Sequence, residues 1–173
     1  RPRARAHRPG WQQAMLRVRD PERSLRFYRE ALGMTLVDRY DFPAWKFSLY
    51  FLESRAPGAP EYALEPGSPE AHQYLWSMPG VALELTHNHG SEEAYHPGNE
   101  VGDGFGHLAV SVPDVYTACA ELESAGVAFH KKPDEGRMKG LAFALDPDER
   151  RELSGILEDQ VTDPKAVHRA VMG

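Results

Sequence analysis

Three side chains able to bind a divalent metal ion occur on segments with the alternating pattern of β-strands. Gln13 begins one such segment, Glu84 interrupts an otherwise apolar one, and His107 follows a Gly-Phe-Gly run. Because side chains alternate between the two faces of a strand, a sheet curved into a half-barrel could direct all three to one point. Oxygen and imidazole ligands of this kind suit Zn²⁺, Ni²⁺ or Co²⁺ in a site with positions open for water or substrate.

Each of these residues also has a purely structural interpretation. A single histidine after a glycine-rich run is more often hydrogen-bonded within the fold, and a glutamate in a strand usually faces solvent. Glu84 favours the ligand interpretation, because a buried carboxylate requires a compensating charge and a metal ion supplies one. The glycines before His107 do not have the spacing of a dinucleotide-binding loop, and no helix follows them.

The elements that would position these residues occur twice along the chain. Residues 13–18 and 107–112 are strand-like, and each leads into a helical pattern that begins after an aspartate, Asp20 or Asp114, and ends at a glycine. Further strand-like segments follow each helix. They are residues 34–40, 46–52 and 81–88 in the first half, and 127–131 and 141–145 in the second. One helix against a mostly antiparallel sheet, twice over, predicts an α+β fold.

The duplication also predicts where the modules begin and end. Turn-forming and polar residues indicate a long excursion between strands at residues 53–80 and a linker between the modules. The predicted division is a basic arm at 1–10, a first module at 11–98, a linker at 99–104, a second module at 105–160 and a tail at 161–173. The arm is rich in arginine and free of acids, which is typical of an organelle transit-peptide remnant or of a solvated terminus.

Composition excludes several classes of protein. A formal net charge of −6 disfavours nonspecific binding to nucleic acid or anionic membranes. No segment approaches the ~20 apolar residues of a membrane span. The single cysteine, Cys119, excludes an internal disulfide and suits a reducing compartment. We therefore expect an intracellular protein, in the cytoplasm or, if the arm is a transit-peptide remnant, in a mitochondrial or plastid matrix.

A series of short runs between Gln13 and Asp148 points to one family. They lie at residues 13–21, 24–28, 32–36, 41–43, 46–52, 83–88, 104–107, 112–116 and 138–143, and they include Leu-Glu-Leu-Thr-His-Asn before Gly-Phe-Gly-His. In this order they resemble eukaryotic-type glyoxalase I (lactoylglutathione lyase), of the vicinal-oxygen-chelate superfamily. The resemblance implies two βαβββ modules with curved mixed sheets.

The resemblance also implies an activity. In that family a divalent metal binds the hemithioacetal that methylglyoxal forms with its co-substrate glutathione, and for this chain we expect Zn²⁺, with Ni²⁺ or Co²⁺ as alternatives. A glutamate then moves a proton between two carbons through an enediolate, which gives S-lactoylglutathione and detoxifies methylglyoxal. The metal acts as a Lewis acid that stabilises the developing oxyanion and orients the substrate. A small-molecule substrate and a homodimer are the implied partners.

The roles of individual residues follow from the same resemblance. By position, Gln13, Glu84 and His107 resemble three of the four metal ligands, and Arg17 and Asn88 resemble residues that hold the γ-glutamyl end of glutathione. The remaining predicted substrate-binding residues line the apolar side of the pocket or lie beside it. They are Phe47, Leu49, Phe51, Arg137, Met138, Leu141 and Phe143.

Two positions depart from the family pattern. Asp103 stands where an arginine of the partner subunit usually grips a glutathione carboxylate, so that carboxylate should be repelled. The fourth ligand, which is also the catalytic base, usually follows an Asp-Pro-Asp-Gly turn, and ungapped counting puts Leu153 in its place. The base is lost, or Glu152 serves through a one-residue bulge, or Glu158 serves after a lengthened turn. The internal repeat favours Glu158, because Ile156-Leu157-Glu158-Asp159 echoes Ala82-Leu83-Glu84-Leu85.

These departures leave an alternative to the metal-dependent lyase. The chain could be a non-catalytic subunit of a larger assembly, with the same fold but without the base and the glutathione-clamping arginine. An iron dioxygenase of the same superfamily would need two histidines and one carboxylate. Gln13 in the first ligand position argues against that activity.

Overall fold

The structure, a computed structural model, describes residues 10–55, 64–90, 95–96, 104–136 and 139–154, and for 151–154 it describes the backbone only. The described residues group into two compact units. The first comprises those within Arg1–Pro21 and Tyr28–Glu93, and the second those within Glu22–Phe27 and Ala94–Gly173. No helix in these described ranges is long and apolar enough to cross a membrane.

The first unit is built on a four-stranded mixed sheet. Its strands are β1 (Gln13–Arg17), β2 (Thr35–Phe42), β3 (Phe47–Glu53) and β4 (Ala82–Asn88), in the order β1-β4-β3-β2. β1 is parallel to β4, whereas β3 is antiparallel to both of its neighbours. Between β1 and β2 the chain forms helix α1 (Pro21–Arg26) and a π-helical turn (Phe27–Ala31), and Glu22–Phe27 of this segment group with the second unit. A 3-10 turn (Pro43–Trp45) joins β2 to β3.

The second unit repeats this strand order. It contains β5 (Leu108–Val110), α3 (Val115–Ser124), β6 (Phe129–Lys131), β7 (Ala142–Leu145) and β8 (Arg151–Ser154), with the sheet order β5-β8-β7-β6 and β5 parallel to β8. Asp114 caps α3 as predicted, because its carboxylate accepts a 2.6 Å hydrogen bond from the Thr117 amide. That bond holds the pKa of Asp114 below its usual range. The predicted α+β fold of βαβββ-type modules with mixed sheets is confirmed.

The excursion predicted at residues 53–80 contains a helix that the sequence analysis did not identify, α2 (Pro69–Ser77). Ser68 caps it by accepting a hydrogen bond from the Ala71 amide at 3.1 Å, and proline occupies the first turn, where its missing N–H costs nothing. Ala71 and Leu75 are fully buried, and Leu75 packs with Phe51 and Ala82 of the first sheet. The helix therefore covers part of the sheet face that carries Glu84.

A tight turn sets the start of β8. One oxygen of the buried Asp146 carboxylate accepts hydrogen bonds from the amides of Asp148 and Arg150 at 3.0 and 2.7 Å, and the other oxygen pairs with the Arg150 guanidinium at 3.0 Å. Burial raises the pKa of Asp146, and Arg150 opposes that shift. Glu149 adopts a left-handed conformation with φ of 67°, at the place where the resembled turn has glycine. The turn is thus formed without its glycine.

Candidate metal and substrate site

Seven predicted site residues lie on one face of the first sheet. Strand pairing places Arg17 opposite Thr86, and places Glu84 between Met15 and Phe51. Directly paired residues share a face, and faces alternate along each strand. The shared face therefore carries Gln13, Arg17, Phe47, Leu49, Phe51, Glu84 and Asn88. A period of two predicts which residues of one strand share a face, and the observed pairing of β1, β3 and β4 joins these sets. The chemical roles of the residues stay predictions.

Glu84 is the centre of this face. It is 7% exposed, and its carboxylate accepts one hydrogen bond from the Thr86 hydroxyl at 2.8 Å and another from the Gln13 amide. Gln13 and Glu84 are thus in contact although 71 residues separate them in the chain. Neither of these two donors carries a charge, so within the described ranges the buried carboxylate is hydrogen-bonded by neutral groups. A divalent cation would supply the missing charge, and the Gln13 and Glu84 oxygens are donors that suit it.

Arg17 and Asn88 lie at the same end of the face. Arg17 ends β1 and is exposed, and Asn88 ends β4 and is half-buried. Arg17 is paired with Thr86, which is two residues before Asn88 on the same face of β4. Asn88 is itself paired with Phe47. A guanidinium beside an amide can bind a carboxylate together with its neighbouring polar groups.

The predicted apolar residues divide into two groups. Phe51 is 3% exposed and belongs to the core under α2, so packing alone explains it. Leu49 and Phe47 are half-buried, and the Phe47 ring packs against Phe42 with ring centres 4.8 Å apart. Two aromatic residues that the sequence analysis missed, Tyr40 and Phe42, lie opposite Leu49 and Phe47 and share their face. Their alternation along β2 was the available signal.

His107, the third predicted ligand, belongs to the second unit. It directly precedes β5, is exposed, and its ring meets Phe143 edge to face with centres 5.7 Å apart. Its convergence with Gln13 and Glu84 stays a prediction. Leu141 and Phe143, also predicted for the pocket, are half-buried in the same unit. Leu141 directly precedes β7, and Phe143 is its second residue.

The backbone of β8 bears on the catalytic base. Leu153 pairs with Phe143, the ring that His107 contacts, whereas Glu152 pairs with Ala144 on the alternate face. The register runs without a shift from Arg151 to Ser154, so the one-residue bulge that would redirect Glu152 is not present in this strand. The register position opposite Phe143 is therefore held by leucine.

Several predicted residues lie outside the described residues. They are the proposed base and ligand Glu158, the substrate residues Arg137 and Met138, and Asp103 in the place of the clamping arginine. The predicted arm at 1–10, except Gly10, and the tail at 161–173 also lie outside, as does most of the 99–104 linker. The predictions made for these segments are untested.

A cleft of about 650 Å³ lies along the outer strand β2, between residues 39–42 and residues 65–68, and its lining includes Tyr40 and Phe42. Its wall includes His72, whose ring stacks on Tyr40 and whose Nδ1 lies 2.5 Å from the fully buried Asp38 carboxylate. Asp38 also accepts a hydrogen bond from the Gly67 amide at 2.9 Å. These bonds fasten α2 and its preceding loop to β2, and none of the predicted site residues lines the cleft.

Comparison with known sequences agrees with this architecture. The sequence model of the glyoxalase/bleomycin resistance protein/dioxygenase superfamily matches residues 10–151. A lactoylglutathione lyase from Pseudomonas putida is 52% identical over 139 residues, which cover 78% of this chain and 77% of that protein. Glyoxalase I from Saccharomyces cerevisiae is 47% identical over 138 residues, which cover 77% of this chain and 40% of that longer protein.

Solved structures of glyoxalase I also align with this chain. The trypanothione-dependent glyoxalase I of Leishmania major aligns with a TM-score of 0.66 at 26% identity, covering 96% of this chain and 99% of that one. Glyoxalase I from Zea mays aligns with a TM-score of 0.59 at 29% identity, covering 83% of this chain and 43% of that one.

Proposed function

Because the chain belongs to the glyoxalase I (lactoylglutathione lyase) family, we propose that it isomerises the hemithioacetal of glutathione and methylglyoxal to S-lactoylglutathione, and so detoxifies methylglyoxal. The observation that carries this proposal is the contact between the buried Glu84 and Gln13, on a face that also presents Arg17 and Asn88. A homodimer in a reducing intracellular compartment is part of the proposal, and the free thiol of Cys119 supports that compartment.

We assign the metal to Gln13, Glu84, His107 and Glu158, with Zn²⁺ as the first choice and Ni²⁺ or Co²⁺ as alternatives. When bound, the ion supplies Lewis-acid charge that stabilises negative charge developing on a substrate oxygen. Gln13 and His107 would contribute neutral donors, whereas Glu84 and Glu158 would each contribute a negative charge. The two carboxylates would balance the charge of a divalent ion, so a net positive charge toward the substrate would require that Glu158 is not bound to the ion.

The remaining residues bind and orient the substrate. Arg17 pairs with the γ-glutamyl carboxylate of glutathione, and Asn88 donates to or accepts from the same end. Phe47 and Leu49 exclude water from the apolar side of the hemithioacetal, together with Met138, and Arg137 adds a cation. Asp103 repels the second glutathione carboxylate unless Arg19 or Lys139 compensates.

Glu158 is proposed to accept the proton from one substrate carbon and to return it to the next. The repeat of the Glu84 motif at residues 156–159 supports this assignment. One observation favours a second candidate function, because Leu153, which has no basic group, holds the register position opposite Phe143. A non-catalytic subunit of a larger assembly is that second candidate.

The experiment that tests the proposal is an assay in which purified protein is given glutathione and methylglyoxal and the formation of S-lactoylglutathione is measured. We expect formation of S-lactoylglutathione that is lost on chelation and restored by Zn²⁺, Ni²⁺ or Co²⁺. Restoration by one ion would identify the preferred metal. No product with any of these ions, in protein that is folded by circular dichroism, would favour the non-catalytic subunit.

Thr86 should act as a positioning residue for Glu84. Its hydroxyl donates to one carboxylate oxygen at 2.8 Å, and both side chains are buried, so the bond fixes the orientation of the proposed ligand. Thr86→Val keeps the shape and removes the donor. We expect metal affinity to fall by roughly 10–100-fold, as for other groups that orient metal ligands, and Thr86→Ser to restore most of it. Equal affinities of the valine and serine variants, by chelator competition, would contradict this role.

A further inference from the structure

The opposite face of the first sheet carries two histidines that the proposed function does not use. His87 is directly paired with Ser48, and His89 follows β4 with its Nε2 at 2.7 Å from the Ser48 hydroxyl. The two imidazole ring centres are 5.5 Å apart, with their planes inclined at 46°. His87 alternates with Asn88 along β4, so these rings lie on the face away from Glu84.

The separation of the two rings fits a shared metal ion. Imidazole nitrogens bind Zn²⁺ at ~2.0–2.1 Å, and two imidazoles on one tetrahedral ion have ring centres roughly 5 Å apart. The 5.5 Å separation of the His87 and His89 ring centres is therefore compatible with one ion bound by both rings. The two histidines are two residues apart in the chain, at the end of the inner strand β4, so the backbone keeps them close together.

The hydrogen bonds of Ser48 determine which nitrogen of His89 is available. The Ser48 hydroxyl donates to the Asp41 carboxylate, and this bond is the largest cause that holds the pKa of Asp41 below its usual range. Ser48 has one proton, so its oxygen accepts from the Nε2–H of His89. The Nδ1 lone pair is left for a ligand. A histidine whose other ring nitrogen donates to an oriented acceptor is the usual arrangement around a protein-bound metal.

The surrounding charges also favour a cation on neutral imidazoles. Burial lowers the pKa of His87, His89 lowers it further, and Asp20 opposes the shift, so the ring is neutral near pH 7 and keeps a lone pair. Asp20 and Asp41 supply negative charge nearby, although Arg39 pairs with Asp41 at 2.6 Å and offsets part of it.

We propose that His87 and His89 form a second binding site for an imidazole-seeking divalent cation such as Zn²⁺, Ni²⁺ or Cu²⁺, separate from the site at Glu84. In the described ranges no three histidine, cysteine, aspartate or glutamate side chains converge on one point. The site thus has two protein ligands, and water completes the coordination. It binds more weakly than a site with three or four protein ligands and remains open to an added ligand.

The test is a calorimetric titration with Zn²⁺ of protein already loaded with one equivalent of the ion. We expect a second, weaker equivalent in the wild type, and at least 10-fold weaker binding of that equivalent in the double variant His87→Ala, His89→Ala. His130→Ala, which removes an exposed histidine of β6 in the second unit, is the matched control and should leave the second equivalent unchanged. Ser48→Ala should weaken it several-fold, because the His89 tautomer is no longer fixed.

A variant at the first site separates this proposal from the proposed function. Glu84→Gln should lose the tighter equivalent and keep the His87–His89 one. If that variant keeps the weaker equivalent while the enzyme assay fails, the second site stands alone. Retention of the weaker equivalent in the double histidine variant, or a wild type that binds no second equivalent, would overturn the second site.

Discussion

Replacement of Glu84 by glutamine is expected to abolish both the metal-dependent activity and the stabilisation of the fold by metal. The substitution keeps the shape of a side chain that is 7% exposed and removes its charge. The loss of activity should exceed the ~10–100-fold that a residue orienting a ligand costs, because Glu84 is itself assigned as a ligand. Activity assays with Zn²⁺ in excess measure this loss.

Thermal unfolding gives a second measurement of the effect of Glu84→Gln. The variant should have the lower Tm when metal is present, and an equal or higher Tm when metal is absent. A ligand at 100 times its Kd stabilises the folded state by about 2.7 kcal/mol. For a chain of this length that stabilisation raises Tm by roughly 5–10 °C. Wild-type protein should show this rise on addition of metal, and Glu84→Gln should not. Without metal the variant should be as stable as the wild type or more stable, because a buried charge with neutral donors has been removed.

Glu53→Gln is the matched control for Glu84→Gln. Glu53 is also a buried glutamate of the first sheet, 8% exposed, but its carboxylate is bonded by the Tyr74 hydroxyl and lies 3.7 Å from Arg55. This variant should keep the Tm rise on metal addition, whatever its effect on baseline stability. A metal-induced rise of the same size in Glu84→Gln would show that the ion binds elsewhere.

The second large effect concerns the proton-transferring base. Glu158→Gln is expected to reduce kcat by roughly 10²–10⁴, because an amide cannot accept the substrate proton. Glu152→Gln is the control, because the register of β8 pairs Glu152 with Ala144, whereas Leu153 holds the position opposite Phe143. That variant should keep kcat within about twofold of the wild type.

Leu153→Glu distinguishes an enzyme with a displaced base from a chain that has lost its base. Position 153 lies opposite Phe143, whose ring contacts His107, so a carboxylate there is near one proposed ligand. If the wild type is inactive and Leu153→Glu gains activity, the assignment of Glu158 is wrong and the non-catalytic subunit is the correct interpretation. Circular dichroism of each variant verifies that the fold is kept.

The sequence predicted the relations that local backbone geometry determines. Glu84 and Asn88 share a face because the period of a strand is two, and that period is a local property of the backbone. Asp114 caps α3 because the first-turn amides need an acceptor. The duplicated strand order was also accessible, since each half repeats the same succession of strand, cap and helix.

Relations that depend on distant packing were not predictable in the same way. Phe51 is part of the core because α2 covers it, and α2 lies in a segment whose prolines and glycines indicated loop. The contact of Ser48 with His89 requires the pairing of β3 with β4 and the turn after β4. The left-handed Glu149 departs from residue preference, because the bonds of Asp146 to neighbouring amides hold the turn without glycine.

The pairing of β1 with β4 has a consequence for the order in which the protein folds. These strands are the first and the last of their sheet along the chain, so their contacts close a loop of about 70 residues, and this closure costs more conformational entropy than the short hairpin of β2 and β3. Gln13 is on one of them and Glu84 on the other. A ribosome-bound chain that lacks β4 has β1 without its partner and has no Glu84. The pair of proposed ligands therefore comes into existence only with the final strand of the sheet, and a partly synthesised first unit cannot capture the metal through them.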